Sequence, residues 1–291
     1  MDLSYAVKVI FLLLQTTIGT LANAFIPMAH AYTTCTEKNL KPIDTILCHL
    51  AIANLVRLLP RGPPEIMKEF GLRNILDDDG CKFVHYITRA ARGVSICVTS
   101  LLSVYQAITL TPATARWCFL KSRLQKDIIL HIVSFWLFNM LLYITFAMQL
   151  FAPRNGTIPA FAYNLGICYT NRVEQNFYYF TMCMIFGHDI FFVGLMLISS
   201  VYILYVLKRH RKQVQYIRST SQNPKDTVET KAAKSVIKLV TLYVFFYGVD
   251  TCIMAYTSIM TSFPSLIAEH YQLLVLVPLP ITVLVLVSLI D

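Results

Sequence analysis

Residues 128–150 read IILHIVSFWLFNMLLYITFAMQL, and this run decides the fold class. Its 23 residues contain no Asp, Glu, Lys or Arg. A helix needs about 20 apolar residues to cross roughly 30 Å of hydrocarbon, and a soluble core does not require an uninterrupted run of that length. A second apolar run, with Glu269 as its one charged residue, extends from Leu266 to Ile290. The whole chain has 291 residues, of which 56% are hydrophobic and 14% charged, against roughly 45–50% and about 25% in soluble domains. Apolar blocks predict spans at 7–31, 42–60, 81–110, 127–151, 176–207, 232–261 and 266–290. These use nearly the whole chain, so the expectation is one all-α domain, a bundle of seven transmembrane helices. The second span is predicted to end near Pro60, because Pro60, Pro63 and Pro64 each lack a backbone donor. Asp2 precedes Lys8, and the following apolar run is too long for a signal peptide, so the first span is read as its own targeting signal.

Lysine and arginine stay on the cytoplasmic side of membrane proteins. One set of loops holds fourteen of them, including Lys38, Arg116, Lys208, Arg209, Arg211 and Lys212; the opposite set holds five, Arg61, Lys68, Arg73, Arg154 and Arg172. The first set is therefore read as cytoplasmic, with the N-terminus outside, the C-terminus inside and no tail after the seventh span. The glycosylation sequon Asn155-Gly156-Thr157 falls in a loop assigned to the outside. This asymmetry also accounts for the net charge of +9 without a nucleic-acid partner. The localisation expected is the plasma membrane.

The eight cysteines form no CxxC pair, and no Cys/His spacing suits a metal. Cys81 and Cys168 both fall outside the membrane in this topology, where oxidation is permitted. They are predicted to form a disulfide that pins the second outer loop over the bundle.

Ionisable groups at membrane depth are costly and mark functional positions. His85, Arg89 and Arg92 share a face of the third span. Arg89 lies eight residues past Cys81, roughly 12 Å into the helix. This face suits an anionic or strongly polar ligand group. Internal pairing of the arginines with Asp189 or Asp250 stands as an equal alternative. Tyr243, Tyr247 and Asp250 follow i, i+4, i+7 spacing in the sixth span. Together these six residues are the candidate ligand-binding set. No zincin, nucleophile-elbow or Walker sequence occurs, and no cofactor is expected. The seventh span contains no lysine, which excludes a retinal Schiff base there.

The stretch Leu101-Leu102-Ser103-Val104-Tyr105-Gln106-Ala107-Ile108-Thr109-Leu110-Thr111-Pro112 resembles the end of the third span of vomeronasal type-1 receptors. His49 to Leu55 resembles their second span, Lys231 to Asp250 their sixth, and Cys168-Tyr169 their second outer loop. Gly19, Asn23, Asn54 and Trp136 match wider rhodopsin-like positions. The resemblance implies a receptor for a small-molecule pheromone or odorant, signalling through an inhibitory-type heterotrimeric G protein. There are departures. Ser103-Val104-Tyr105 stands where rhodopsin-like receptors carry Asp-Arg-Tyr, and the seventh span has Pro278 and Pro280 without Asn-Pro-x-x-Tyr.

The expected mechanism is ligand entry among the outer ends of the third, fifth, sixth and seventh helices. Displacement of the sixth helix would then expose Tyr105, Lys208, Arg209, Arg211 and Lys212 to the G protein. Anionic membrane lipid is the competing partner for the basic stretch. A receptor dimer is a candidate assembly. The alternative function is a non-signalling bundle that escorts other chemosensory receptors.

Overall fold

The computed structural model describes residues 3–36, 42–72, 75–111, 115–148, 150–152, 162–164, 167–171 and 175–217, with helical positions at 237, 238, 241, 242, 244, 245, 248, 249 and 252. Tyr243, Tyr247, Asp250, Asn155 and the predicted seventh span lie outside them. Five helices follow in chain order: α1 (Leu3–Thr36), α2 (Pro42–Glu69), α3 (Asp78–Leu110), α4 (Ala115–Ala147) and α5 (Gln175–Ile217). Among the described residues all five are long and apolar enough to cross a membrane.

The helices depart from the predicted spans at their ends. Helix α2 continues through Pro60, Pro63 and Pro64 to Glu69. A proline removes one donor without forbidding helical φ, and neighbouring helices make good the loss. Here the C-terminal turns of α2 are held to α1 by Lys8–Glu69 (2.8 Å) and within themselves by Arg61–Glu65 (2.6 Å). Arg61 and Lys68, counted above as loop cations, are therefore helical. Helix α4 begins twelve residues before its predicted span, because a helix can run on past the hydrocarbon. At its other end it stops at Ala147. Leu150–Phe151, predicted as helix, form strand β1 instead.

Helix α3 is the axis of the bundle, packed against α2, α4 and α5, while α1 packs on α2. Asp77 caps α3, its carboxylate accepting from the Gly80 amide at 2.7 Å. Asp78 and Asp79 occupy the first turn, where the helix dipole favours anions. Asp78 also accepts from the Ala152 amide at 2.7 Å. This fastens the outer end of α3 to β1 in an antiparallel three-stranded sheet with β2 (Ala162–Asn164) and β3 (Tyr169–Asn171), in the order β1-β3-β2. The sequence reading does not anticipate these strands. Backbone bonds across the sheet satisfy polar groups of the described loop residues.

Polar side chains join the helices inside. Asn54 Nδ2 donates to Asn23 Oδ1 at 3.1 Å, and Ser95 Oγ donates to Asn54 Oδ1 at 3.3 Å, linking α2 to both α1 and α3. Close backbone approach does the same work on the other side of α3. A Cβ added at Gly93 would overlap the Asn139 amide and come within 3.1 Å of the Tyr143 ring, both on α4. Gly93→Ala is expected to destabilise the protein by about 1–3 kcal/mol, read as a lowered unfolding temperature in detergent. An unchanged temperature would refute this account of the α3–α4 contact.

Candidate ligand site

Cys81, in the first turn of α3, is disulfide-bonded to Cys168 in the loop between α4 and α5, with Cα atoms 5.9 Å apart. From this fixed point α3 carries its polar residues inward. His85 is buried. Arg89 stacks its guanidinium over the Phe146 ring of α4, 4.2 Å from the centroid, a cation–π arrangement. Arg92 lies one turn deeper and is 5% exposed.

At that depth a chain of polar contacts crosses from α3 to α5 and α4. Arg92 Nη1 donates to Asp189 Oδ2 at 3.0 Å. The other Asp189 oxygen lies 3.0 Å from His188 Nδ1. His188 Nε2 is 3.3 Å from Cys97 Sγ, and Asn139 Nδ2 reaches that sulfur at 3.5 Å while donating to Phe135 O at 2.8 Å. All five side chains are buried. Phe138 and Phe192 flank the imidazole, at 5.5 and 4.9 Å between centroids. Each charge has a partner here, the arrangement a low-dielectric interior demands. Of the two acids the sequence offered, Asp189 is bound to Arg92, and Asp250 lies outside the described residues. The chemistry available is recognition and switching, because an incoming polar group can exchange with either member of the pair.

The structure brings Arg89 and Arg92 to the middle of the bundle beside α4 and α5. Cys97, Asn139 and Phe146 complete this region, and sequence reasoning did not single them out. Asn139 stands in the middle of the apolar 128–150 run, a signal for a buried hydrogen bond. Nothing local marks Cys97 or Phe146. Towards the C-terminal end of α3, Tyr105 is buried, and its hydroxyl accepts from Gln125 Nε2 at 3.1 Å. Lys208 and Arg209 are exposed on α5; Arg211 and Lys212 belong to the same helix. Ile237 packs on a small cluster of Ala107, Ile203 and Leu207, near the C-terminal ends of α3 and α5.

Residues 6–288 match the vomeronasal organ pheromone receptor family. The chain belongs to that family. Among its relatives, olfactory receptor class A-like protein 1 of Danio rerio is 41% identical over 270 residues, covering 92% of this chain and 84% of that protein. Vomeronasal type-1 receptor 4 of Homo sapiens is 34% identical over 244 residues, covering 83% and 80%. Squid rhodopsin superposes with a TM-score of 0.70 over 98% of this chain and 81% of that one, at 15% identity. That likeness concerns the fold, a rhodopsin-like receptor bundle. As a vomeronasal-type receptor the chain is a multi-pass plasma-membrane protein and a chemosensory G-protein-coupled receptor. It is not an enzyme.

Proposed function

We propose that this receptor binds a small pheromone or odorant in the outer half of a seven-helix bundle, with the N-terminus outside and the C-terminus inside. The observation that supports this reading is the buried Arg92–Asp189 pair between α3 and α5. A ligand with an anionic or strongly polar group takes Arg92 from Asp189. Arg89, His85, Tyr243, Tyr247 and Asp250 supply the surrounding contacts. A ligand shifts a conformational equilibrium only through its differential affinity for the two states. Exchange at Arg92 provides that difference, because it releases α5 from α3. The sixth helix then leaves its seat on the inner ends of α3 and α5, and Tyr105 parts from Gln125. The exposed inner cleft, with Tyr105, Lys208, Arg209, Arg211 and Lys212, receives an inhibitory-type G protein. The same cations lie beside anionic headgroups in the resting receptor. Asn155 carries the glycan, and a receptor dimer is compatible with this arrangement.

The test is a cell line expressing this chain with an inhibitory G protein, scored by a fall in cyclic AMP across an odorant panel. Arg92→Ala is expected to weaken the response by at least about tenfold in potency, roughly one charged hydrogen bond. An Arg92→Ala receptor that reaches the surface and keeps wild-type potency would rule out the proposed anchor.

A further inference from the structure

A corner between α1, α2 and α3 holds buried polar atoms that the Arg92 chain does not use. Gln15, Thr16, Glu65 and Thr88 are 4%, 9%, 3% and 4% exposed. Among the described residues, both amide atoms of Gln15, the hydroxyls of Thr16 and Thr88, and Oε2 of Glu65 have no hydrogen-bond partner. Glu65 is held through its other oxygen, which accepts from Arg61 Nε at 2.6 Å. Native proteins leave few buried polar atoms unsatisfied, so a concentration of them in one corner points to an occupant.

Helix register sets these residues at neighbouring levels of α1, α2 and α3. Lys8 meets Glu69, a Cβ at Gly62 would lie 2.7 Å from Thr16 Cγ2, Gly19 faces Leu58, and Asn23 accepts from Asn54. Antiparallel pairing of α1 and α2 through these contacts sets Gln15 and Thr16 opposite the turn from Gly62 to Glu65. Ser95 donates to Asn54. Two turns further out on each helix, Thr88 comes level with Arg61. One turn beyond that, Glu65 is level with Val84.

We propose that this corner is a second subsite of the receptor, taking the hydrogen-bond-donating end of a ligand, a hydroxyl or an ammonium, at Glu65 Oε2. An ionised carboxylate only accepts, so the occupant must donate; the Gln15 amide and the two hydroxyls complete the cage. The inference rests on the reading that the ligand's other end lies at Arg92. Val84 and Arg92 are eight residues apart on α3, roughly 12 Å along the helix. The favoured ligand is therefore bifunctional, with polar ends separated by a chain of about eight carbons.

The test titrates the full receptor in lipid nanodiscs with octanoate, 8-hydroxyoctanoate, 8-aminooctanoate and hexylamine, read by the shift in unfolding temperature. At least one of the two substituted acids is expected to bind about tenfold more tightly than octanoate. Glu65→Gln, which keeps an oxygen for Arg61, removes that advantage and leaves octanoate unchanged. Thr88→Val reduces it. Hexylamine carries only the donor end, so its saturable binding to wild type and loss in Glu65→Gln reads the subsite alone. Should octanoate bind neither wild type nor Arg92→Gln while hexylamine behaves in this way, the Arg92 reading falls and the subsite stands. Equal affinities for all three acids, or an advantage that survives Glu65→Gln, overturn the subsite. So does an outcome in which Glu65→Gln and Gln15→Leu alter stability but no affinity, the result expected if the corner holds only water. Absence of saturable binding by all four compounds to folded wild type overturns both readings.

Discussion

Arg92→Ala is expected to destabilise the receptor by about 3–5 kcal/mol, the cost of leaving one member of a buried ion pair without its partner. The residue left behind is Asp189, 2% exposed and still beside His188. Its carboxylate would lose the guanidinium at 3.0 Å in an interior too apolar to solvate it. The double variant Arg92→Ala/Asp189→Ala removes the stranded charge and should recover at least half of the loss. The measurement is denaturation of the purified receptor in detergent, for wild type, both single variants and the double variant, with the coupling taken from the cycle. A coupling below about 0.5 kcal/mol would mean that the pair does not fasten α3 to α5. The proposed activation step depends on that tie, so stability and signalling are linked at one contact. Asp189→Asn offers a milder case. It keeps a hydrogen-bond acceptor for Arg92 but not the charge, and should lie between wild type and Arg92→Ala.

The second large effect belongs to the disulfide. Cys81 and Cys168 are separated by 87 residues. Closing a loop of that length removes roughly 4–5 kcal/mol of chain entropy from the unfolded state in the standard model, and measured losses run at about 2–5 kcal/mol. The unfolded state of a membrane protein keeps its helices in lipid, so the lower part of that range is expected for Cys81→Ser, Cys168→Ser and the double variant. Cys81 and Cys168 pack with Ala152 and Ile167 in a small apolar cluster under the three-stranded sheet. Loss of the bond should therefore loosen the outer loop before the bundle. Hydrogen exchange should rise at Tyr169–Asn171 while the core amides of α3 near Val94–Leu102 stay protected. Equal protection in wild type and variant at both places would show that the sheet and the Asp78–Ala152 contact hold the loop without the disulfide.

Hydropathy identified the apolar core of each described helix, because the cost of moving a segment into lipid depends mainly on its own residues. The resemblance carried by Leu101 to Pro112 led to the family that the whole-chain match then established. Helix ends were less legible. The prolines of α2 suggested a stop, yet contacts with α1 that no local pattern records carry the helix on to Glu69. Leu150 and Phe151 read as the end of an apolar span and instead pair with β3. The candidate site was half legible. Arg89, Arg92 and Asp189 were visible as charges in apolar surroundings. Asn139 carried a signal, an amide in the middle of an apolar run, that the reading passed over; Cys97 and Phe146 carried none, since Cys and Phe are ordinary occupants of a membrane helix.

What the sequence alone determined is which of the described segments are long and apolar enough to cross a membrane, and which polar residues must find partners there. Each of these follows from local composition, length and charge. The tertiary structure decided the partners: Asp189 for Arg92, Asn54 for Asn23 and the Phe146 ring for Arg89. Partner choice depends on the rotation, tilt and depth of each helix. Those are set by packing between segments far apart in the chain, as at Gly93 against Asn139, and no single segment encodes them.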